Sequence, residues 1–445
     1  MKFNKQMKSN FNYSLTLQVG AFSFLSMVAL SACDSGDSSA TAAATPAPPT
    51  IALPNGTTLA SMSGVNVLPF SVSYSSGNDC ASATNYMNKP CVTVTVCETN
   101  GTTCHTINDI LLDTGSYGLR VFKSVLTANS ITLTPTSLGG SNTLSECVEY
   151  GDGSKQWGPV AQAYVGLGSE PHVLVPIQVI DSTAVGESTE CSGAVESPDG
   201  NNDSIAAAGF NGILGVGLFN KDCDEGCAIH ADNQMYYSCG TSTCTESTAT
   251  LAQQVSNPIA SLPLDNNGEI IELPNLPLGG VVSSSGYLVI GIGTRSNNVP
   301  SGVNAYTAND TYGQFSTIYN GSTYSSFLDT GSNALSFPAT SSALPICSDA
   351  SGWYCPSTVA TVSAVNVANS GGTAGTIQFQ IENFDVFLNA NNPNWVLKEV
   401  GASSGSGNIA NLFDWGLPFF FGRNVYVGLE NTSSSALGTG PLWAY

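Results

Sequence analysis

Positive charge is scarce in this chain. Its 445 residues hold 11 lysines and arginines against 32 aspartates and glutamates, a formal charge of −21. Three of the cations, Lys2, Lys5 and Lys8, stand ahead of the first acidic residue, so the remainder is more acidic still. Such a surface repels nucleic acid and anionic lipid, and no nucleic-acid partner is expected. It suits solubility in salty or acidic surroundings, or a protein that stays folded where its carboxylates lose charge. Histidine is scarcer, with only His105, His172 and His230. None lies in a His-Glu-x-x-His motif and no Gly-x-Ser-x-Gly elbow is present, so zincin and serine-hydrolase chemistry fit poorly. Phosphate loops and dinucleotide fingerprints are absent. No apolar run is long enough for a dedicated membrane span. Amphipathic helical patterns are few: residues 247–255 read as a short helix with Ser247 as its N-cap. No repeat of solenoid or propeller length is present.

What is present begins with a leader. The three lysines form a positive n-region, and an apolar stretch over residues 19–30 fits an h-region. Leu30-Ser31-Ala32-Cys33 is similar to a bacterial lipobox, in which the cysteine becomes lipidated and N-terminal; an ordinary signal peptide is the other reading. Residues 1–32 are read as the signal peptide and 33–55 as a Ser/Ala/Thr/Pro tether, a composition that builds no core. The expected location is the periplasmic face of the inner or outer membrane, held by the N-terminal lipid only.

Of the 13 cysteines, Cys33 belongs to the leader and the rest form an even set. Several lie close together: Cys80 and Cys91, Cys97 and Cys104, Cys239 and Cys244, Cys347 and Cys355. Disulfides in an oxidising compartment account for them. A four-thiolate zinc site from Cys223, Cys227, Cys239 and Cys244 is the rival. Spacing alone leaves the connectivity open.

Past residue 55 the chain reads as all-β. Short runs rich in Val, Ile, Thr and Phe alternate with Gly, Asn and Ser clusters. Within this pattern one element occurs twice. Ile110-Leu111-Leu112-Asp113-Thr114-Gly115-Ser116 in the first half matches Ser326-Phe327-Leu328-Asp329-Thr330-Gly331-Ser332 in the second. Each ends an apolar strand in Asp-Thr-Gly-Ser. A turn explains one copy; two copies, about one lobe apart, point to chemistry. Two carboxyls held close share one proton, because like charges at that distance do not both ionise. One then serves as base toward water and the other as acid toward a carbonyl, with the pair titrating as a unit. The glycines permit close approach. Thr114 and Thr330 can bond across the junction, and Ser116 and Ser332 can hold the outer carboxylate oxygens.

These residues resemble the pepsin family of aspartic proteases, as a bacterial lipoprotein member. In that family a flap carries Tyr-Gly-x-Gly. Here Tyr150-Gly151-Asp152-Gly153 follows the first Asp-Thr-Gly-Ser element at the place a flap would occupy. Phe210 to Leu218 resembles the strand threading beneath the first catalytic loop. Tyr287 to Gly293 resembles a strand of the inter-lobe sheet. Leu417 to Val427, with Phe420-Phe421-Gly422, resembles the second threading strand. The family's flap-supporting tryptophan is replaced by Arg120, for which stacking on Tyr150 is the expected substitute.

The resemblance implies an all-β, bilobal pepsin-like fold of two barrel-like lobes, 56–265 and 266–445, around a central cleft. It implies an aspartic endopeptidase with Asp113 and Asp329 catalytic, an acidic optimum, a peptide or protein substrate, a monomeric state, and no cofactor or metal. Asp152 at the flap tip is expected to attract a basic substrate side chain, or else to be a solvated turn acid. The alternative is a catalytically weak pepsin-fold protein that binds peptides at the cell envelope.

Overall fold

The computed structural model describes residues 50–51 and 59–445, apart from 76–77, 81–85, 152–153, 187–190, 192–203, 340–341, 349, 389–391 and 405–411. The leader, Cys33, Asp152 and Gly153 lie outside the described residues.

The architecture is almost entirely β and bilobal, of pepsin-like form. Strands that face water on one side alternate. Ala360–Val367 and its antiparallel neighbour Ala374–Ile381 place Val362, Ala364, Ile377, Phe379 and Ile381 inward and Thr361, Ser363 and Gln378 outward. Strands covered on both sides are apolar throughout, as in Gly212–Val216, where every residue is buried.

The two halves repeat one local topology. In the first, strand Gly212–Val216 inserts between Cys104–Asp113 and Tyr117–Phe122. It runs parallel to the former, with Gly215 opposite Asp113, and antiparallel to the latter, with Leu214 opposite Leu119. In the second, strand Leu412–Gly416 inserts between Ser322–Asp329 and Leu335–Ser336, with Gly416 opposite Asp329 and Trp415 opposite Leu335. Threading a third strand under the turn pins the Asp-Thr-Gly loop from below. It also explains glycine opposite each aspartate: a Cβ on Gly215 would lie 2.5 Å from the Tyr117 nitrogen, and one on Gly416 2.2 Å from the Ala334 oxygen.

An antiparallel sheet joins the halves. Val67–Val72 pairs with Ser284–Ile290, followed by Gly268–Leu273, Arg423–Gly428 and Leu442–Ala444. The strand expected at Tyr287 to Gly293 is thus in this sheet.

Three expectations change. The second threading strand is not Phe420-Phe421-Gly422, which leads out of the 3-10 turn Leu417–Phe419 into the inter-lobe strand Arg423–Gly428. The strand in that role, Leu412–Gly416, carries Asp414 in its middle because one face looks toward the lobe junction. Its other side is anchored by Trp415, fully buried against Phe413, Phe419 and Phe379 at 4.5, 5.1 and 5.2 Å between ring centres. Residues 247–255 form turns rather than a helix. The Gln254 side chain bonds the Asp224 and Ala249 carbonyls, and the Val255 amide donates to the Tyr236 hydroxyl, so side-chain bonds, some to neighbouring elements, take the place of a helical ladder. The four-thiolate zinc reading fails because Cys223–Cys227 and Cys239–Cys244 are disulfides. The others are Cys80–Cys91, Cys97–Cys104, Cys147–Cys191 and Cys347–Cys355.

Candidate functional site

The two Asp-Thr-Gly-Ser turns meet at the junction of the halves. Thr114 Oγ1 donates to the Leu328 carbonyl at 2.9 Å and Thr330 Oγ1 to the Leu112 carbonyl at 2.7 Å. Each hydroxyl also accepts the other threonine's amide at 3.0 Å. Both threonines are buried, and the four bonds obey one approximate twofold axis. Each such bond contributes about 1 kcal/mol, and together they fix the position of the loops relative to each other.

The carboxyls follow the same symmetry. Asp113 Oδ1 accepts the Gly115 amide at 2.8 Å, and Asp329 Oδ1 accepts the Gly331 amide at 2.7 Å. The second oxygens accept from Ser116 at 2.5 Å and Ser332 at 2.8 Å. Each turn's glycine backs onto the other turn's carboxyl, which brings the Asp113 charge close enough to act on Asp329. A Cβ on Gly331 would stand 2.7 Å from Asp113 Oδ1, and one on Gly115 2.8 Å from either Asp329 oxygen, so glycine is required for this approach. Burial pushes the Asp329 carboxyl well above its usual range, and the negative charges of Asp113 and Asp414 add to it.

Asp414 is the member that sequence reasoning missed. Its Oδ2 lies 2.6 Å from Ser332 Oγ, which also contacts Asp329. The signal was a lone acid in the apolar run Leu412-Phe413-Asp414-Trp415-Gly416, ending in glycine like Ile213-Leu214-Gly215.

The hairpin of Asn142–Glu149 and Lys155–Gly166 carries Tyr150-Gly151, with the Tyr150 amide bonded to the Ser154 carbonyl at 2.9 Å. The half-buried Tyr150 hydroxyl donates to Gln156 Oε1 at 2.8 Å. Arg120 lies beneath this hairpin, fully buried, and close enough to Tyr150 for electrostatic interaction. Its guanidinium is held by carboxyls: Nη2 donates to Glu146 at 2.7 Å and Asp222 at 2.9 Å, while Nη1 donates to the Tyr117 carbonyl at 2.7 Å. Burial opposes its charge, but Glu146, Tyr150 and Asp222 outweigh that, and its pKa is raised. Asp222, which also accepts from the Tyr236 hydroxyl at 2.6 Å, is pushed well up by burial and by Glu146. The cysteine-rich segment is part of this support, since strand Tyr236–Cys239 pairs with Asn142–Glu149, Tyr236 opposite Glu146.

Residues 63–445 match the model of the family described as "Protein of unknown function (DUF3443)". The chain belongs to this family. No curated protein matches the chain. The family's span contains both turns, the hairpin and Asp414, so the arrangement lies wholly within the matched region.

Proposed function

We propose that this protein is an aspartic endopeptidase in which Asp113 and Asp329 act together. The observation that carries the reading is the close approach of two Asp-Thr-Gly-Ser turns, each backing its glycine onto the other's carboxyl, with both carboxyls held by matched glycine amides and serine hydroxyls. In this reading one carboxyl is ionised and one protonated. The ionised group takes a proton from a water as its oxygen attacks the scissile carbonyl carbon, and the protonated group donates to the carbonyl oxygen. The tetrahedral diol then collapses, with a proton passing to the nitrogen as the C–N bond breaks. Thr114, Gly115, Ser116, Thr330, Gly331 and Ser332 hold the pair in register. Tyr150 and the Gly151-Asp152-Gly153 tip would cover an extended peptide, and Arg120 would support the hairpin from below. The protein would act as a monomer at the cell envelope, anchored through Cys33.

A second reading is a peptide-binding protein that cuts slowly or not at all. Its support is the clamping of the flap's first strand. That strand is paired on both edges, tied by Cys147–Cys191 and bonded through Glu146 to buried Arg120. A flap so restrained suits retention of a peptide better than repeated opening.

The test is cleavage of diverse peptides between about pH 3 and about pH 7, with Asp113→Asn and Asp329→Asn as controls. Cleavage lost in both variants and blocked by a transition-state analogue carrying a hydroxyl in place of the scissile carbonyl supports the first reading. Peptide binding without cleavage by the parent selects the second.

A further inference from the structure

The twofold symmetry of the carboxyl pair is broken at one point. Two residues before the glycine opposite Asp113 stands Ile213; two before the glycine opposite Asp329 stands Asp414. Ser116 accordingly contacts one carboxyl, and Ser332 contacts two. A hydroxyl has one proton to donate. With Asp329 at 2.8 Å and Asp414 at 2.6 Å, Ser332 can donate to only one, and the other must itself bring a proton to the serine oxygen. Two ionised carboxylates on one hydroxyl would leave one facing a lone pair.

The surroundings favour Asp414 as the holder of that proton. Its Oδ1 is buried without a hydrogen-bond partner among the described residues. The flanking strands present Phe327 and Ser336 opposite it, and the charged groups that face it are Asp329 and, across the junction, Asp113, both acidic. Among the described residues no lysine, arginine or histidine pairs with any of the three. Burial, partly offset by the Ser332 bond, and the Asp113 charge push the Asp414 carboxyl up to about 8.

We propose that Asp414 is a positioning residue that carries its own proton and donates it to Ser332, which donates in turn to Asp329, so that the site works as a unit of three carboxyls. The kinetic consequence rests on the peptide-hydrolysis reading. In acid, Asp414 is neutral and leaves the pair undisturbed. As pH rises and Asp414 ionises, its charge opposes loss of the proton that Asp113 and Asp329 share. The pair, holding its proton as Asp414 ionises near about pH 8, keeps it to higher pH than it would alone, and the alkaline limb of the rate profile moves up with it. Repulsion across one serine corresponds to a shift of about one to two pH units.

The experiment compares pH–rate profiles of the full chain with those of Asp414→Asn, Asp414→Ile and Ser332→Ala, alongside carbon-13 titration of aspartate-labelled protein. The Asp414→Asn alkaline limb is expected to fall by about one pH unit while the acidic limb stays in place. Asp414→Ile, which restores the side chain of the other half, should do the same. An aspartate resonance titrating above about pH 6 is expected in the parent and missing from Asp414→Asn. Superimposable profiles, or limbs that move together, overturn the proposal. If the parent cleaves nothing, hydrolysis fails as a reading and the titration alone decides. Absence of the high-titrating aspartate, or its persistence in Asp414→Asn, then refutes the three-carboxyl unit.

Discussion

Replacing Arg120 with methionine tests what holds the flap hairpin. The methionine occupies a similar volume but removes three bonds, to Glu146, Asp222 and the Tyr117 carbonyl. Hydrogen bonds involving a charged group contribute about 1.5 to 3 kcal/mol each, but the larger effect is what remains: two buried acids with no cation. Breaking a buried ion pair from one side costs about 3 to 5 kcal/mol when the survivor stays ionised. Asp222 escapes part of that cost by taking a proton, so the penalty depends on pH. Asp222, pushed up by burial, rises further above its unfolded value once its cation is gone, so the folded form binds more protons and loses stability as pH rises through the folded value. Urea unfolding of parent and variant should show a deficit of about 1 to 2 kcal/mol near about pH 4.5 and about 3 to 5 kcal/mol near about pH 7.5. Adding Glu146→Gln should recover part of the loss at the higher pH. An equal deficit at both pH values would mean that packing, and not charge, is what Arg120 supplies.

Gly331→Ala should lower peptide turnover by about 100-fold or more, measured by initial rates on a cleaved peptide, because the new Cβ would stand 2.7 Å from Asp113 Oδ1; near-parental turnover would show that the carboxyls are not held this closely. Glu399→Gln should flatten the pH dependence of stability. Glu399 is buried, neither oxygen has a hydrogen-bond partner among the described residues, and burial pushes it up to about 7, with Lys398 pulling the other way. A raised acid pKa stabilises below the unfolded value and is lost as pH rises through the folded one. The parent's melting temperature should therefore fall between about pH 4 and about pH 8 by more than the variant's, reflecting about 3 kcal/mol of unfolding free energy at most. Parallel melting curves would count against it.

The candidate site was legible in the sequence where its residues are neighbours in the chain. Asp113 to Ser116 and Asp329 to Ser332 are contiguous, and each turn's own amide and hydroxyl satisfy its own carboxyl. The first threading strand was legible because its apolar run is fully buried. The second was displaced by a few residues, because Leu417 to Phe421 is the more apolar stretch while the true strand contains an acid. Arg120 stood out as a departure from the pattern of the pepsin family that the turns resemble, but its partners Glu146 and Asp222 lie 26 and 102 positions away and carry no local mark.

By itself, then, the sequence determined the class of fold, the duplicated turn and the residue types that make a carboxyl pair workable, because these follow from alternation, glycine and hydrogen-bonding groups within a few positions. Only the tertiary structure decided which strand lies under the second turn, which cysteines pair, what Arg120 neutralises, and that Ser332 is shared between Asp329 and Asp414. Each of those depends on a distance between residues remote in sequence, and such distances are set by how the two halves thread and close.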